Sequence, residues 1–480
     1  MLSVLLVVLA FNYVDRLVLG LVLQDIKSDL ALSDTQLGVL SGIAFALFYS
    51  VMGIPIARWA DRGNRVTIIS IAAALWSVMV ALCGVAANFA QLMLIRVGVG
   101  VGEAGCIPPA HSLIADYFTR AERPRAVAVY MLGGPLSVVI GNFLAGWLNE
   151  FYGWRATFMM LGLPGLVLAV LTRLTLKEPR LQKGWRWAGE KETASQVVPK
   201  SNAAATPPYP QSVKDVCLIL WTNLTFRYLL FSWVVCILFG AGIGQWQGAF
   251  FIRSYGVKTG ELGSWFALIY GLGGFLGTYG GGEWASRFAV NDERRQLQVL
   301  TLVYSISAAL LFLSFLSPDL YLALGLTGLA VVLGAMTNGP MFATIQTLIP
   351  SRMRATSIAL FYLFANLVGL GLGPLIAGAL SDRLRPLLGE ESLRYALLAL
   401  CPGYLFGGWY LWKASKTVTR DLQLAQEGEN SDVKEDHALT SALVSSRLGE
   451  AVSCLNITIR NDNEEGYACD RAISRNRGSL

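Results

Sequence analysis

The chain has 480 residues, of which 54% are hydrophobic and only 15% are charged. Soluble domains carry about 25% charged residues, so this composition excludes a water-soluble globular protein and describes a chain that meets lipid over most of its surface. The net charge of +6 is concentrated between apolar runs, a pattern of membrane orientation and not of nucleic-acid binding, and seven scattered cysteines with no CxxC pair and only two histidines exclude a Cys/His metal cluster and a disulfide framework.

A bilayer core of about 30 Å needs roughly 20 helical residues. Twelve stretches meet that length: 2–24, 36–57, 66–87, 91–115, 125–148, 155–176, 226–252, 262–285, 297–316, 319–348, 355–380 and 393–413. The first lacks the basic flank of a signal peptide and runs on past Asp15, so it reads as a transmembrane helix beginning almost at Met1. The 49 glycines suit helices that pack closely in a membrane. Arginines crowd the even-numbered loops: Arg58, Arg62 and Arg65 after span two, Arg120, Arg123 and Arg125 after span four, Arg287, Arg294 and Arg295 after span eight. The odd-numbered loops are poorer, except the one after span eleven, where Arg383, Arg385 and Arg394 are partly balanced by Asp382, Glu390 and Glu391. The even loops, and with them both termini, are expected in the cytoplasm. A polar Pro/Ser/Ala stretch over 177–224 reads as a cytoplasmic linker, and the chain from 415 to 480 as a polar, disordered tail. The expected organisation is a six-helix bundle over 1–176, the linker, a second bundle over 225–414, and the tail.

Span one carries Asp15 and Arg16 side by side, where a lone ionised side chain costs at least a few kcal/mol. Span four carries Arg96 and Glu103. Seven residues make nearly two helical turns, so these two share one face about 10 Å apart. Gly100 lies on that face, and Gly98, Gly102 and Gly105 thin the helix for a close partner. Span one is the candidate partner. Asp15 with Arg96 and Glu103 with Arg16 are two possible ion pairs, and the reverse pairing is equally allowed. Buried pairs rarely stabilise more than apolar packing would, so the four residues are read as a substrate and proton-coupling site. Asn12, Tyr13, Asn142, Gln245, Gln247, Asn338 and Asn366 are candidates to line a central cavity. His111, behind the helix-disrupting Pro108-Pro109, joins them as a possible relay, although packing is its simpler role.

The sequence repeats across the linker. "WADR" at 59–62 returns as "WASR" at 284–287, "RAVA" at 125–128 as "RATS" at 354–357, and "GNFLAGWL" at 141–148 as "GPLIAGAL" at 373–380. The spacings of 225, 229 and 232 residues describe two six-helix halves in parallel repeat, the architecture of major facilitator transporters, whose substrate site lies between the halves. The expected fold is therefore an all-α integral membrane protein of twelve helices, two pseudo-symmetric six-helix bundles around a central cavity. "ARWADRGNR" at 57–65 resembles the major facilitator loop pattern G-x-x-x-D-R-x-G-R, with Ala57 for the first glycine and the second displaced to Gly63. Asp61 would then face the start of span eleven near Arg354. Asp116 is a candidate partner for Arg62 or Arg65, and Glu283 with Arg287 is placed in the same cytoplasmic gate.

"FNYVDR" in span one, "RVGVGVGEAGCIPPAHSLIADYF" in span four and "GWRATF" before span six resemble the Spinster family of lipid transporters. The likeness is strong over about 1–180 and thinner over 225–415. It implies a proton-linked or facilitative carrier of amphipathic lipids: lysophospholipids, sphingosine or its phosphate. The two histidines, with no HExxH or glycine-rich phosphate loop, argue against an enzyme; a monomer without a cofactor is expected, and the compact loops point to a cell inner membrane. A drug/proton antiporter or an organic-anion transporter on the same frame is the alternative.

Overall fold

The computed structural model describes residues 1–119, 122–181, 218, 220–289, 292–349, 357 and 361–424, without the side chains of Ile54, Asp61, Pro124 and Phe288. One compact unit holds Met1–Val198 and Ser212–Asp421. The other, Pro199–Gln211 with Leu422–Leu480, lies almost wholly outside the described residues, as do most of the expected linker and tail.

Every regular element among the described residues is helical. In the first half these are α1 (Leu2–Leu30), α2 (Asp34–Ser41), α3 (Ile43–Arg62), α4 (Arg65–Cys83), α5 (Phe89–Glu103), α6 (Ile107–Tyr117), α7 (Arg123–Met131) and α8 (Gly133–Thr175). The second half has α9 (Leu224–Tyr255), α10 (Thr259–Phe266), α11 (Gly273–Phe288), α12 (Glu293–Leu316), α13 (Leu320–Met336), α14 (Asn338–Leu348), α15 (Gly371–Leu388), α16 (Ser392–Leu400) and α17 (403–424). Nine apolar stretches among the described residues are long enough to cross a membrane. Two of them, 125–181 and 361–424, hold two spans each, and the helix over 259–288 completes the twelve.

Seven spans are interrupted part-way. Span two breaks at Gly42, span four between Glu103 and Ile107, span five at Leu132, span ten at Thr337 and span twelve at Cys401-Pro402, while π turns at Ala267–Leu272 and Ala365–Leu370 loosen spans eight and eleven. Irregular backbone at membrane depth is tolerated where it is buried in protein or lines a cavity. α8 is two helices joined at Gly153, whose φ of 76° and ψ of 166° turn span five into span six. A Cβ would be strained at that φ, so glycine is the fitting residue there.

The last helix runs on to 424, past the point where the sequence turns polar at 415. Leu411, Ala414, Ser415, Val418 and Asp421 recur at helical spacing and are buried. Asp421 accepts hydrogen bonds from Thr225 N (2.9 Å) and Thr225 Oγ1 (2.7 Å), fastening α17 to the first turn of α9.

The two bundles close against each other on the face of the odd-numbered loops. A Cβ on Gly38 of α2 would come within 2.6 Å of Pro374 O, and one on Gly146 of α8 within 2.9 Å of the Gly263 Cα, so the backbones meet without side chains between them. Asp382 of α15 caps α2 across the seam, accepting from Asp34 N (3.0 Å), Thr35 N (2.7 Å) and Thr35 Oγ1 (2.6 Å). Asp34 in turn takes Lys27 Nζ (2.6 Å), Arg253 Nη1 (2.9 Å) and Nη2 (2.8 Å), and Ser381 Oγ (2.7 Å). The cross-bundle ion pairs and side-chain hydrogen bonds of Asp34 and Asp382 all lie on this face.

Candidate functional site

α1 and α5 place all four intramembrane charges together. Arg16 donates from Nε to Glu103 Oε2 at 2.7 Å, and its Nη2 lies 2.5 Å from the same oxygen. Arg96 Nη1 donates to Asp15 Oδ2 at 3.4 Å, a longer and weaker contact. Asp15, Arg96 and Glu103 are buried, while the Arg16 side chain keeps 21% of its surface. The guanidinium of Arg16 is held between three rings, with Tyr13, Phe45 and Tyr49 centroids at 4.8, 4.6 and 4.7 Å, and Phe45 is shared with Arg96 at 5.5 Å. Such faces favour a desolvated cation. Several polar atoms here have no hydrogen-bond partner: Asp15 Oδ1, Glu103 Oε1, Arg96 Nε and both amide atoms of Asn12. Buried polar groups are ordinarily satisfied, so this cluster holds spare hydrogen-bonding capacity.

Arg16 borders two cavities. A central one of about 260 Å³ between the bundles is lined by Arg16, Gly20 and Asn142 on one side and by Gln245, Tyr270 and Pro374 on the other. A more open groove of about 380 Å³ runs between α1 and span five, past Leu9, Tyr13, Met131 and Val138. Arg16, Leu17 and Val138 belong to both, so one cation sits where a mostly apolar central chamber with a few polar groups meets an apolar groove.

The remaining cavity candidates divide. Asn142 and Gln245 face the central cavity; Asn142 Nδ2 donates to Val138 O at 2.8 Å, and Gln245 Nε2 has no partner. Asn338 lines a separate cavity inside the second bundle. Gln247 is turned into that bundle, bonded to Tyr270 and Thr327, and lines none of these cavities. These two neighbours decide its orientation, and neither is signalled by the sequence around Gln247. Asn366 sits half-buried in the π turn of span eleven and lines none of these cavities. His111 packs edge-on against Tyr130, centroids 5.3 Å apart.

This fold and this arrangement of charges have counterparts among known proteins. The model of the Major Facilitator Superfamily matches residues 5–374. The chain belongs to the Major Facilitator Superfamily. An MFS-type efflux pump of Mycolicibacterium smegmatis is 33% identical over 425 residues, spanning 88% of this chain and 93% of that one. Protein spinster homolog 1 of Xenopus laevis is 27% identical over 458 residues, 88% of this chain and 82% of that one. Among solved structures, a bacterial homologue of the human lysosomal transporter Spinster, in an inward-facing and occupied conformation, superposes with a TM-score of 0.74 at 28% identity, covering 88% of this chain and 97% of that one. This facilitator is thus Spinster-like, a multi-pass membrane transporter and not an enzyme.

The facilitator's expected gate on the even-loop face is only partly in view. Arg65 is fully buried and bound to Asp116 (2.6 Å), to Ser112 O (3.0 Å) and to Glu178 through its side chain and its backbone N. Glu178, which lies beyond the end of α8 in the stretch read as linker, was missed because an acidic residue in a polar run carries no distinguishing pattern. Arg62 is exposed and takes no part in this cluster. Glu283 and Arg287 pair with each other, one turn apart and largely exposed, within the second bundle. The side chain of Asp61 and its expected neighbour Arg354 lie outside the described residues. The joint that does cross between the bundles, around Asp34, was also missed. Its one signal was the charge surplus of the loop after span eleven, where Asp382 stands.

Proposed function

We propose that this facilitator carries an anionic amphiphile, a lysophospholipid or a sphingosine phosphate, by proton-linked alternating access. The carrying observation is the position of Arg16: a cation gripped by one carboxylate and three rings, between a central chamber and an apolar groove. The head group takes the guanidinium by charge-assisted hydrogen bonds, and the acyl chain lies along Leu9, Leu17, Met131 and Val138. Protonation of Glu103 releases one side of Arg16 for the substrate anion, and the spare acceptors on Asp15 and Glu103 are where protons enter and leave. Rocking of the bundles moves the site to the opposite face, and deprotonation restores the internal pair and expels the anion. With the arginine-rich even loops in the cytoplasm, the chain is a monomer in a cell inner membrane with both termini cytoplasmic, and the arrangement closed around Asp34 is open inward.

An organic-anion substrate is the second reading, favoured by a hexuronate transporter of Bacillus subtilis at 23% identity over 78% of this chain. Arg16 would serve a sugar acid equally, but the apolar groove would not. Uptake of labelled lysophosphatidate and of labelled hexuronate into proteoliposomes, with and without a pH gradient, separates the two. The lipid reading expects gradient-sensitive lysophosphatidate uptake, abolished in Arg16→Ala. Hexuronate uptake without lipid uptake would overturn it.

A further inference from the structure

The second bundle encloses a cavity of about 270 Å³ among α9, α12, the α13–α14 break and α17. Its described lining includes no Asp, Glu, Lys, Arg or His. It does include groups able to hydrogen-bond. Tyr404 and Asn338 are both in its wall. Trp233 is 8% exposed and its indole Nε1 has no partner. Tyr304 binds only neutral groups, accepting from Thr337 Oγ1 at 3.3 Å. An unpaired buried indole N–H is costly unless something accepts from it.

The space is kept open by a missing side chain. A Cβ on Gly240 would lie 2.8 Å from the Tyr404 hydroxyl oxygen, with nothing else near it except that ring. The break that builds the cavity is the counterpart of the one beside Glu103. α13 gives way to α14 at Thr337, in the span equivalent to the one where α5 gives way to α6. Gln245, which stands 229 residues after Arg16 at the "RAVA"/"RATS" spacing, faces the central cavity and not this one. The first bundle thus fills its break with ions and the second with neutral donors and acceptors. Ala241 and Leu370 line both this cavity and the central one, so the two are neighbours with a shared wall.

We infer that the cavity of the second bundle is a binding subsite for an uncharged, hydroxyl- or amide-bearing group, such as the glycerol portion of a single-chain lipid. The mostly apolar wall with a few placed polar groups is the usual make-up of a small-molecule pocket. The inference deepens the proposed function by naming what lies beyond the anion, and it rests on that reading only for the identity of the whole substrate.

Cys236 is on the cavity wall and serves as a native reporter. The purified full chain is treated with a small uncharged thiol reagent, and labelling at Cys236 is followed by peptide mass spectrometry. Monoolein is compared with methyl oleate, which has the same chain without hydroxyls. The subsite predicts that saturating monoolein slows labelling about ten-fold, as expected at a ligand concentration roughly nine times Kd, while methyl oleate has little effect. Tyr404→Phe and Asn338→Leu should each remove most of that difference, and Gly240→Val should abolish protection. Tyr404→Phe loses a single oxygen, so the test stands even where the valine variant fails to fold. Equal protection by both lipids, no protection by monoolein, or undiminished discrimination in Tyr404→Phe and Asn338→Leu would overturn the inference. Arg16→Ala should leave monoolein protection intact. Monoolein protection in a chain that moves no lysophosphatidate would sink the proposed function and leave the subsite standing.

Discussion

Arg16 carries two demands at once: it must be held without being neutralised for good. One carboxylate oxygen and three ring faces do this, since cation–π contacts hold the charge without consuming its hydrogen bonds. Arg16→Lys keeps the charge but loses the planar fork and the stacking. Binding of lysophosphatidate should weaken at least about ten-fold, or ~1.4 kcal/mol, by calorimetry in detergent, with an unchanged circular-dichroism spectrum; unchanged affinity would remove Arg16 from the site. Glu103→Gln leaves a neutral amide where protonation would act. It should still exchange lipid across vesicles at equal pH but lose the response to an imposed pH gradient. A Glu103→Gln protein whose uptake still follows the gradient would show that the proton travels elsewhere. These four charges were legible in the sequence because each interrupts an apolar run and seven residues bring Arg96 and Glu103 to one face. Which carboxylate met which arginine was not legible, since spacing fixes a helix face and not the register between two helices. Gln247 and Asn366 line none of the three cavities described above: a polar side chain in a span is satisfied equally well by a neighbouring helix, and Tyr270 and Thr327 are such neighbours of Gln247.

At the scale of elements, the seam between span five and span eight is made of glycine against glycine. Gly146 meets the backbone at Thr259, Gly260 and Gly263, and the contact is flanked by Trp147 Nε1 to Ser264 Oγ (3.0 Å) and Gly260 N to Glu150 Oε2 (2.9 Å). Close backbone approach of this kind is how membrane helices gain contact without a hydrophobic driving force. Gly146→Leu would push the two helices apart, an overpacking cost of about 1–3 kcal/mol borne only while the odd-loop face is closed. The expected outcome is a lower melting temperature for the closed arrangement and faster labelling of a cysteine placed at Leu17 by an impermeant thiol reagent added from the odd-loop side. Gly274→Leu is the control: it lies on span eight, the other helix of the seam, a Cβ there would meet no atom within 4 Å, and it should change neither. The twelve spans themselves could be read from the sequence, because roughly 20 apolar residues are needed whatever the partner. Some interruptions carry a local signal: Pro108-Pro109 follows the break in span four, and Leu132 and Thr337 are each followed within three residues by Gly-Pro, whose proline cannot bond back to the carbonyl four residues earlier. The π turns at Ala267–Leu272 and Ala365–Leu370 contain no proline and were not legible.

For the molecule as a whole, the question is what decides which face is closed. The two charged clusters differ in what they join. Arg65, Asp116 and Glu178 lie in one bundle, so their contacts persist however the bundles rock. Asp34 instead ties Lys27 of its own bundle to Arg253 and Ser381 of the other, while Asp382 crosses back to cap α2. Breaking a buried pair by removing one partner costs about 3–5 kcal/mol, and moving a two-state equilibrium from 1:99 to 99:1 takes about 5.5 kcal/mol. Asp34→Asn weakens the hold on Lys27 in both arrangements but strands Arg253 in the closed arrangement only, so its cross-bundle part acts on the conformational equilibrium. It should raise the labelling rate of the Leu17 cysteine from the odd-loop side by about ten-fold or more, and slow uptake that depends on reclosing. Glu178→Gln removes a comparable buried partner but loads both arrangements alike. It should lower the melting temperature and leave the labelling rate from either side unchanged. Should Glu178→Gln shift accessibility as far as Asp34→Asn does, the Arg65 cluster would be a gate between bundles after all, and the assignment of the conformational lock to Asp34 would fail.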